Sequence, residues 1–184
     1  MSSQPFGRWS FQHRPDQESI ETMFKAVDKM LRHVIKRTSP PFMLTLTGPS
    51  GVGKTHLATE FMHNVRAMGG SCGMLNWATW CASGFQDENI KHLRRYQFPL
   101  VIDEVFLIDA TMDKRAASME SRALISILEE RMGKWTLLTT NASLKDIQER
   151  DERLYSRLIR NGAFVIECDQ KATDFSTCGR SQAQ

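Results

Sequence analysis

The chain has 184 residues, 41% of them hydrophobic, with 24 basic side chains against 21 acidic ones. That length supports one substantial core and is short for two ordinary domains, while a net charge of +3 permits a polyanionic partner without requiring one. The longest uncharged apolar runs are strand-sized and the opening MSSQPFGRWSF has no signal-type apolar core, so a cytoplasmic protein without membrane contact is expected.

Ile20, Met23, Phe24, Val27, Met30, Leu31 and Val34 recur at intervals of three and four, which predicts an amphipathic helix from Asp16. Ser39, Pro40 and Pro41 forbid its continuation, because proline lacks the backbone donor and restricts the residue before it. Phe42 to Thr47 reads as a buried strand, and Thr55 to Met68 as a second helix stopped by Gly69 and Gly70. SCGMLNW reads as another strand, followed from about Thr79 to Arg95 by a helix or a helix and loop. Phe98 to Val105 is an apolar run broken only by two carboxylates, the form of a central strand in a parallel sheet. A polar connector over Asp109 to Ser118 precedes a helix carrying Ala123, Leu124, Ile127, Leu128 and Met132, which stops at Gly133. WTLLTTN is a further strand, and Ser143 with Asp146 forms a capping-box pattern for helical structure broken near Asp151. AFVIE is the last strand. Five strands alternating with helices predict an α/β layered fold with a mainly parallel sheet.

Between the first strand and the second helix, Gly48, Gly53, Lys54 and Thr55 fit G-x-x-x-x-G-K-[ST] in the strand and helix context that this pattern requires. Backbone amides can wrap a phosphate only where side chains do not intrude, so the loop residues Gly48, Pro49, Ser50, Gly51, Val52 and Gly53, with His56 just inside the helix, are candidate nucleotide contacts. Lys54 would reach the β- and γ-phosphates of ATP, and the Thr55 hydroxyl would hold Mg²⁺, which prefers hard oxygen ligands. The alternative is a glycine-rich turn that binds nothing.

Asp103 and Glu104 close a buried strand at the end where open α/β sheets bind ligands. Asp103 would hold Mg²⁺ through water, and Glu104, pointing elsewhere by strand alternation, would activate the attacking water. Two charges at a strand exit are the plainer reading. Asn141, at the end of WTLLTTN, offers an amide to that water or to the γ-phosphate, although asparagine after a strand also serves as a turn residue. Arg153, Arg157 and Arg160 lie along one helical face, suited to phosphoryl-transfer charge or to simple solvation.

Together GPSGVGKT, VIDEV, TTN and DERLYSRLIRNG resemble the Walker A, Walker B, sensor-1 and arginine-finger elements of AAA+ ATPases, with an order and spacing similar to DnaC/DnaI helicase loaders and IstB transposition ATPases. The resemblance covers residues 6 to 168. It implies a three-layer P-loop core over 16–168 with a mainly five-stranded parallel sheet, preceded by a segment over 1–15; the tail over 169–184, polar and rich in small residues from Lys171 on, is expected to be disordered by its composition. Only 17 residues follow Glu167, so the helical lid is expected to be reduced or absent.

Carried over by residue, the resemblance makes Lys54 and Thr55 the phosphate and Mg²⁺ contacts, Asp103 the metal partner, Glu104 the base and Asn141 the sensor. Arg157 becomes the finger acting on a neighbouring subunit's ATP, with Arg153 as auxiliary, and Arg8 to Phe11 lie near the adenine. The implied partners are copies of the same chain, single-stranded DNA, and a replicative helicase or a transposase, in a bacterial or phage-infected cell. Trp77, Trp80, Phe85, Lys91, Arg94 and Arg95 fall where that family grips DNA; core packing is the other reading of both tryptophans. A small-molecule P-loop kinase and a non-hydrolysing, ATP-dependent adaptor are the rival functions. Cys72, Cys81, Cys168 and Cys178 are scattered without C-x-x-C pairs, which argues against zinc or a disulfide framework.

Overall fold

The computed structural model describes residues 17–83, 95–106, 114–160 and 162–168. The segment over 1–15, the interval holding Phe85, Lys91 and Arg94, and the tail from 169 lie outside those residues. In chain order the elements are α1 (Gln17–Lys36), β1 (Met43–Thr47), α2 (Lys54–Ala67), β2 (Gly73–Asn76), α3 (Trp77–Ala82), β3 (Leu100–Val105), α4 (Lys114–Glu130), β4 (Thr136–Thr140), α5 (Leu144–Arg150), α6 (Glu152–Ile159) and β5 (Phe164–Glu167).

The five strands form one sheet in the order β2-β3-β4-β1-β5, and every neighbouring pair is parallel. Alternation along the strands divides the core into two layers. Leu44, Leu46, Val101 and Leu137 face α1 and α2, while Leu100, Ile102 and Leu138 face α3 to α6. Burying each such side chain contributes about 1.5–3 kcal/mol, so the two layers, rather than helix propensity, hold the fold. The three-layer α/β expectation is therefore met, with all five strands at the positions anticipated.

Several boundaries moved for local reasons. The helix α1 begins at Gln17, buries Ile20, Met23, Val27, Met30 and Leu31, and ends where Arg37 turns to φ 51 before the prolines. Trp77, read as a strand end, instead opens α3, because the Asn76 side chain caps that helix by accepting from the Thr79 N–H at 2.9 Å. The connector expected over Asp109 to Ser118 is helical from Lys114 onward. The Ser143 and Asp146 capping box is present, and the Ser143 bonds hold the Asp146 carboxyl below its usual range. Asp151 then both ends α5 and caps α6, accepting from the N–H groups of Arg153 and Leu154.

At the opposite end of the sheet from these caps, Arg131 is fully buried just after α4. Its guanidinium donates to the carbonyls of Tyr96, Phe98 and Trp135 and to the Thr136 hydroxyl, gathering the chain as it enters β3 and β4. Burial pushes its pKa down to about 10, so it remains a cation at neutral pH. Nothing in the sequence distinguishes this arginine from a surface one.

Candidate active site

Strand β1 runs into a loop whose Gly48, Gly51 and Gly53 have φ 146, 79 and 100. Those values lie in the region that Cβ disfavours, which is what the glycines permit. Gly48 has a second constraint: a Cβ added there would lie 2.6 Å from the Cβ of Cys168, just beyond β5. Gly53 is the N-cap of α2 and supplies no side-chain bond, and the first turn of α2 carries no acidic residue. The helix therefore presents its backbone donors and partial positive charge to the loop without a carboxylate competing for them.

Lys54 opens α2 and is 5% exposed. Its ammonium donates to the carbonyls of Gly48 and Pro49, each at 2.7 Å, so it is held across the concave side of the loop. Burial pushes its pKa down to about 8, while Cys168, Asp103 and Glu104 pull the other way. Thr55 follows with an exposed position in the first turn, and its hydroxyl donates to Asp103 Oδ1 at 3.1 Å. Val52 is buried in the core beneath the loop, whereas Ser50, Gly51 and His56 are exposed around it.

Strand β3 is bulged at its carboxylates. Leu100 to Ile102 pair with Thr136 to Leu138 and Val105 pairs with Thr140, so Asp103 and Glu104 together stand opposite Thr139. Asp103 is 1% exposed and accepts from Thr139 Oγ1 at 2.5 Å as well as from Thr55. The same Thr139 oxygen accepts the Glu104 N–H at 2.9 Å. Glu104 takes φ 61, and plain strand alternation does not set its direction. Alternation is therefore not what separates Glu104 from Asp103: the bulge turns the backbone there, and Glu104 is partly exposed where Asp103 is buried.

Within TTN the sequence marks Asn141 but not Thr139; a threonine in a β-strand carries no signal until its partner across the sheet is known. Asn141 is the exposed residue immediately after β4, at the same end of the sheet as the loop and the carboxylates. Lys54, Thr55, Asp103, Glu104 and Thr139 are thus brought together, with Asn141 at the rim.

Among the described residues no group of three or more His, Cys, Asp or Glu is placed to hold a metal. The Thr55 hydroxyl and the Asp103 carboxylate instead make a partial set of hard oxygens, which suits Mg²⁺ shared with phosphates and water. An anion in the loop would be met by amides, a helix terminus and the Lys54 ammonium. The residues fit a nucleotide triphosphate with Mg²⁺.

A pH dependence follows from the Lys54 value. Phosphate binding favours the ammonium form, and that form is lost as pH rises through a pKa of about 8. ATP affinity is expected to weaken about tenfold from pH 7 to pH 9, a difference that Lys54→Arg abolishes because guanidinium keeps its proton. Titrating a fluorescent ATP analogue at several pH values measures it, and a flat profile for the unaltered chain would refute it.

Arg157 lies elsewhere. It lines a cavity of about 440 Å³ with Phe42, Met43, Gly133, Lys134 and Arg160, at the N-terminal ends of β1 and β4. Its Nη2 is 2.9 Å from Glu129 Oε1, and both side chains are partly exposed. Arg153 is exposed on the same helix and Arg160 is exposed just after its end, while Leu154 and Leu158 face the core. Trp77 and Trp80 are 0% and 3% exposed, so core packing is the reading that holds for both.

No protein-family model and no curated protein sequence matches the chain, so its likenesses are structural. A DnaC helicase loader superposes with a TM-score of 0.60 at 19% identity, over 79% of this chain and 89% of that one. DnaI gives a TM-score of 0.62 at 17% identity, over 91% and 90%. A replication initiator DnaA bound to AMPPCP and single-stranded DNA gives 0.55 at 17% identity, over 81% of this chain and 49% of that one. The chain spans most of the DnaC and DnaI chains but less than half of the DnaA chain. These likenesses show the fold alone: an α/β core with a parallel sheet like that of the DnaC helicase loader and DnaI. No helix among the described residues is long and apolar enough to cross a membrane.

Proposed function

We propose that the chain is a Mg²⁺-dependent ATPase that assembles with copies of itself and remodels a protein–DNA complex in DNA replication or transposition. The observation that carries this reading is the linked set around Asp103. Thr55 and Thr139 both donate to its Oδ1, Lys54 lies in the adjoining glycine loop, and Glu104 is aimed by the bulge that Thr139 secures. In this reading Lys54 and the loop amides hold the triphosphate, Thr55 and Asp103 hold Mg²⁺, Glu104 takes a proton from the attacking water, and Asn141 orients that water. Bound Mg²⁺ would supply charge neutralisation on the transferred phosphoryl group.

Self-assembly is supported by the place of Arg157, at the opposite end of the strands from its own loop. The likenesses to DnaA bound to single-stranded DNA and to the DnaC helicase loader and DnaI support a DNA partner and a replicative helicase as the remodelled protein; a transposase is the alternative partner in this reading. The test is steady-state ATP hydrolysis across protein concentration, with and without single-stranded DNA and with Mg²⁺ withheld. Turnover per subunit is expected to rise with both concentration and DNA and to vanish without the metal. A rate per subunit independent of concentration and DNA would overturn the assembly and DNA parts of this reading.

A further inference from the structure

The end of β3 holds two residues with Cβ in the left-handed region, Glu104 at φ 61 and Phe106 at φ 64. Such backbone persists only where its surroundings over-determine it. From within the sheet, Thr139 takes the Glu104 N–H and Thr140 donates to the Val105 carbonyl at 2.8 Å. Phe106 is held from the helical side. Its ring is 8% exposed and lies 5.2 Å from the Arg150 guanidinium carbon, within cation–π range.

Arg150 is itself fixed. Its Nη2 is 2.6 Å from Glu120 Oε2, and the other oxygen of that fully buried carboxylate accepts the Trp77 indole N–H at 2.7 Å. A buried ion pair gives little net stability over apolar residues of the same volume, because desolvation offsets its attraction; what it does supply is direction. With Trp77 anchoring one carboxylate oxygen, the other can receive Arg150 from a narrow range of angles. The contact chain runs from the first residue of α3, through α4, to the last residue of α5 and onto the strand end beside Glu104.

We propose that Arg150 is a positioning residue for Glu104: anchored by Glu120 and Trp77, it pins Phe106 and so fixes the bulge that aims the carboxylate. This rests on the reading of Glu104 as the group that activates water. None of the four residues belongs to the phosphate loop or to the first turn of α2, so removing the clamp is expected to affect turnover and leave nucleotide binding alone.

The test replaces the ion pair by apolar residues of similar volume, Glu120→Leu with Arg150→Met. The double variant is expected to fold, with KM for ATP unchanged and kcat lowered roughly 10- to 100-fold, the scale of a misplacement of about 1 Å. Should it not fold by near-ultraviolet circular dichroism, Phe106→Leu is expected to show the same split between kcat and KM. An unaltered kcat in whichever of these variants folds overturns the inference. Glu104→Gln measured in parallel separates the two layers of argument. If it is inactive while the clamp variants turn over at the full rate, only the positioning role falls; if it hydrolyses at the full rate, the hydrolytic reading falls and takes this one with it.

Discussion

Glu104→Gln is expected to bind ATP and to hold it without hydrolysing it, with turnover lowered roughly 10²- to 10⁴-fold. The amide has the shape of the carboxylate and keeps the backbone N–H that Thr139 accepts, so the bulge survives the change. It cannot take a proton from water. The phosphate loop is untouched, because Lys54 is held by the Gly48 and Pro49 carbonyls rather than by Glu104. Retention of labelled ATP through gel filtration, set beside kcat, measures both halves. Full turnover would exclude Glu104 as the base, and loss of binding would assign it to the cradle instead. The rival adaptor, which only binds ATP, predicts unaltered biological activity in this variant.

How much of this could be read beforehand depended on whether the determining contacts are local. The spacing of Ile20, Met23, Val27, Met30 and Leu31, the glycines and lysine between β1 and α2, and the Ser143 with Asp146 box are each specified within a few residues, and each was visible. The bulge was not. Nothing in LVIDEV marks a left-handed glutamate; its conformation is settled by Thr139, 35 residues away in the chain. Arg131 and Glu120 were invisible for the same reason, since their partners come from distant segments. The start of α3 was mistaken because the aromatic run at Trp77 masked an asparagine cap one residue earlier. The tryptophans themselves went to the core, as large aromatics beside a strand end usually do.

Arg157→Ala is expected to lower turnover of the assembled protein roughly 10³-fold or more, the worth of an arginine finger, while leaving ATP binding intact. Arg157 stands beside Met43 and the phosphate loop follows Thr47, so the length of β1 separates them, about 3.3 Å for each residue. No rotamer spans that distance through a packed sheet, so under the proposed function the guanidinium would serve the site of another copy. Its bond to Glu129 does not prevent this: with both side chains partly exposed, such a pair contributes under about 1 kcal/mol and is readily exchanged for a phosphate. A head-to-tail interface, which joins two different surfaces of the same chain, is the geometry that would bring the two ends together. Mixing variants then gives the decisive measurement. Lys54→Ala lacks the cradle but keeps the finger, and Arg157→Ala has the reverse, so each is inactive alone. In an equal mixture about a quarter of head-to-tail junctions pair an intact cradle with an intact finger, and turnover should return to that order. Arg157→Lys should not substitute, because a compact ammonium lacks the planar fork that reaches two oxygens. A mixture as inactive as its parents, with both chains folded and assembled, would remove Arg157 from the reaction.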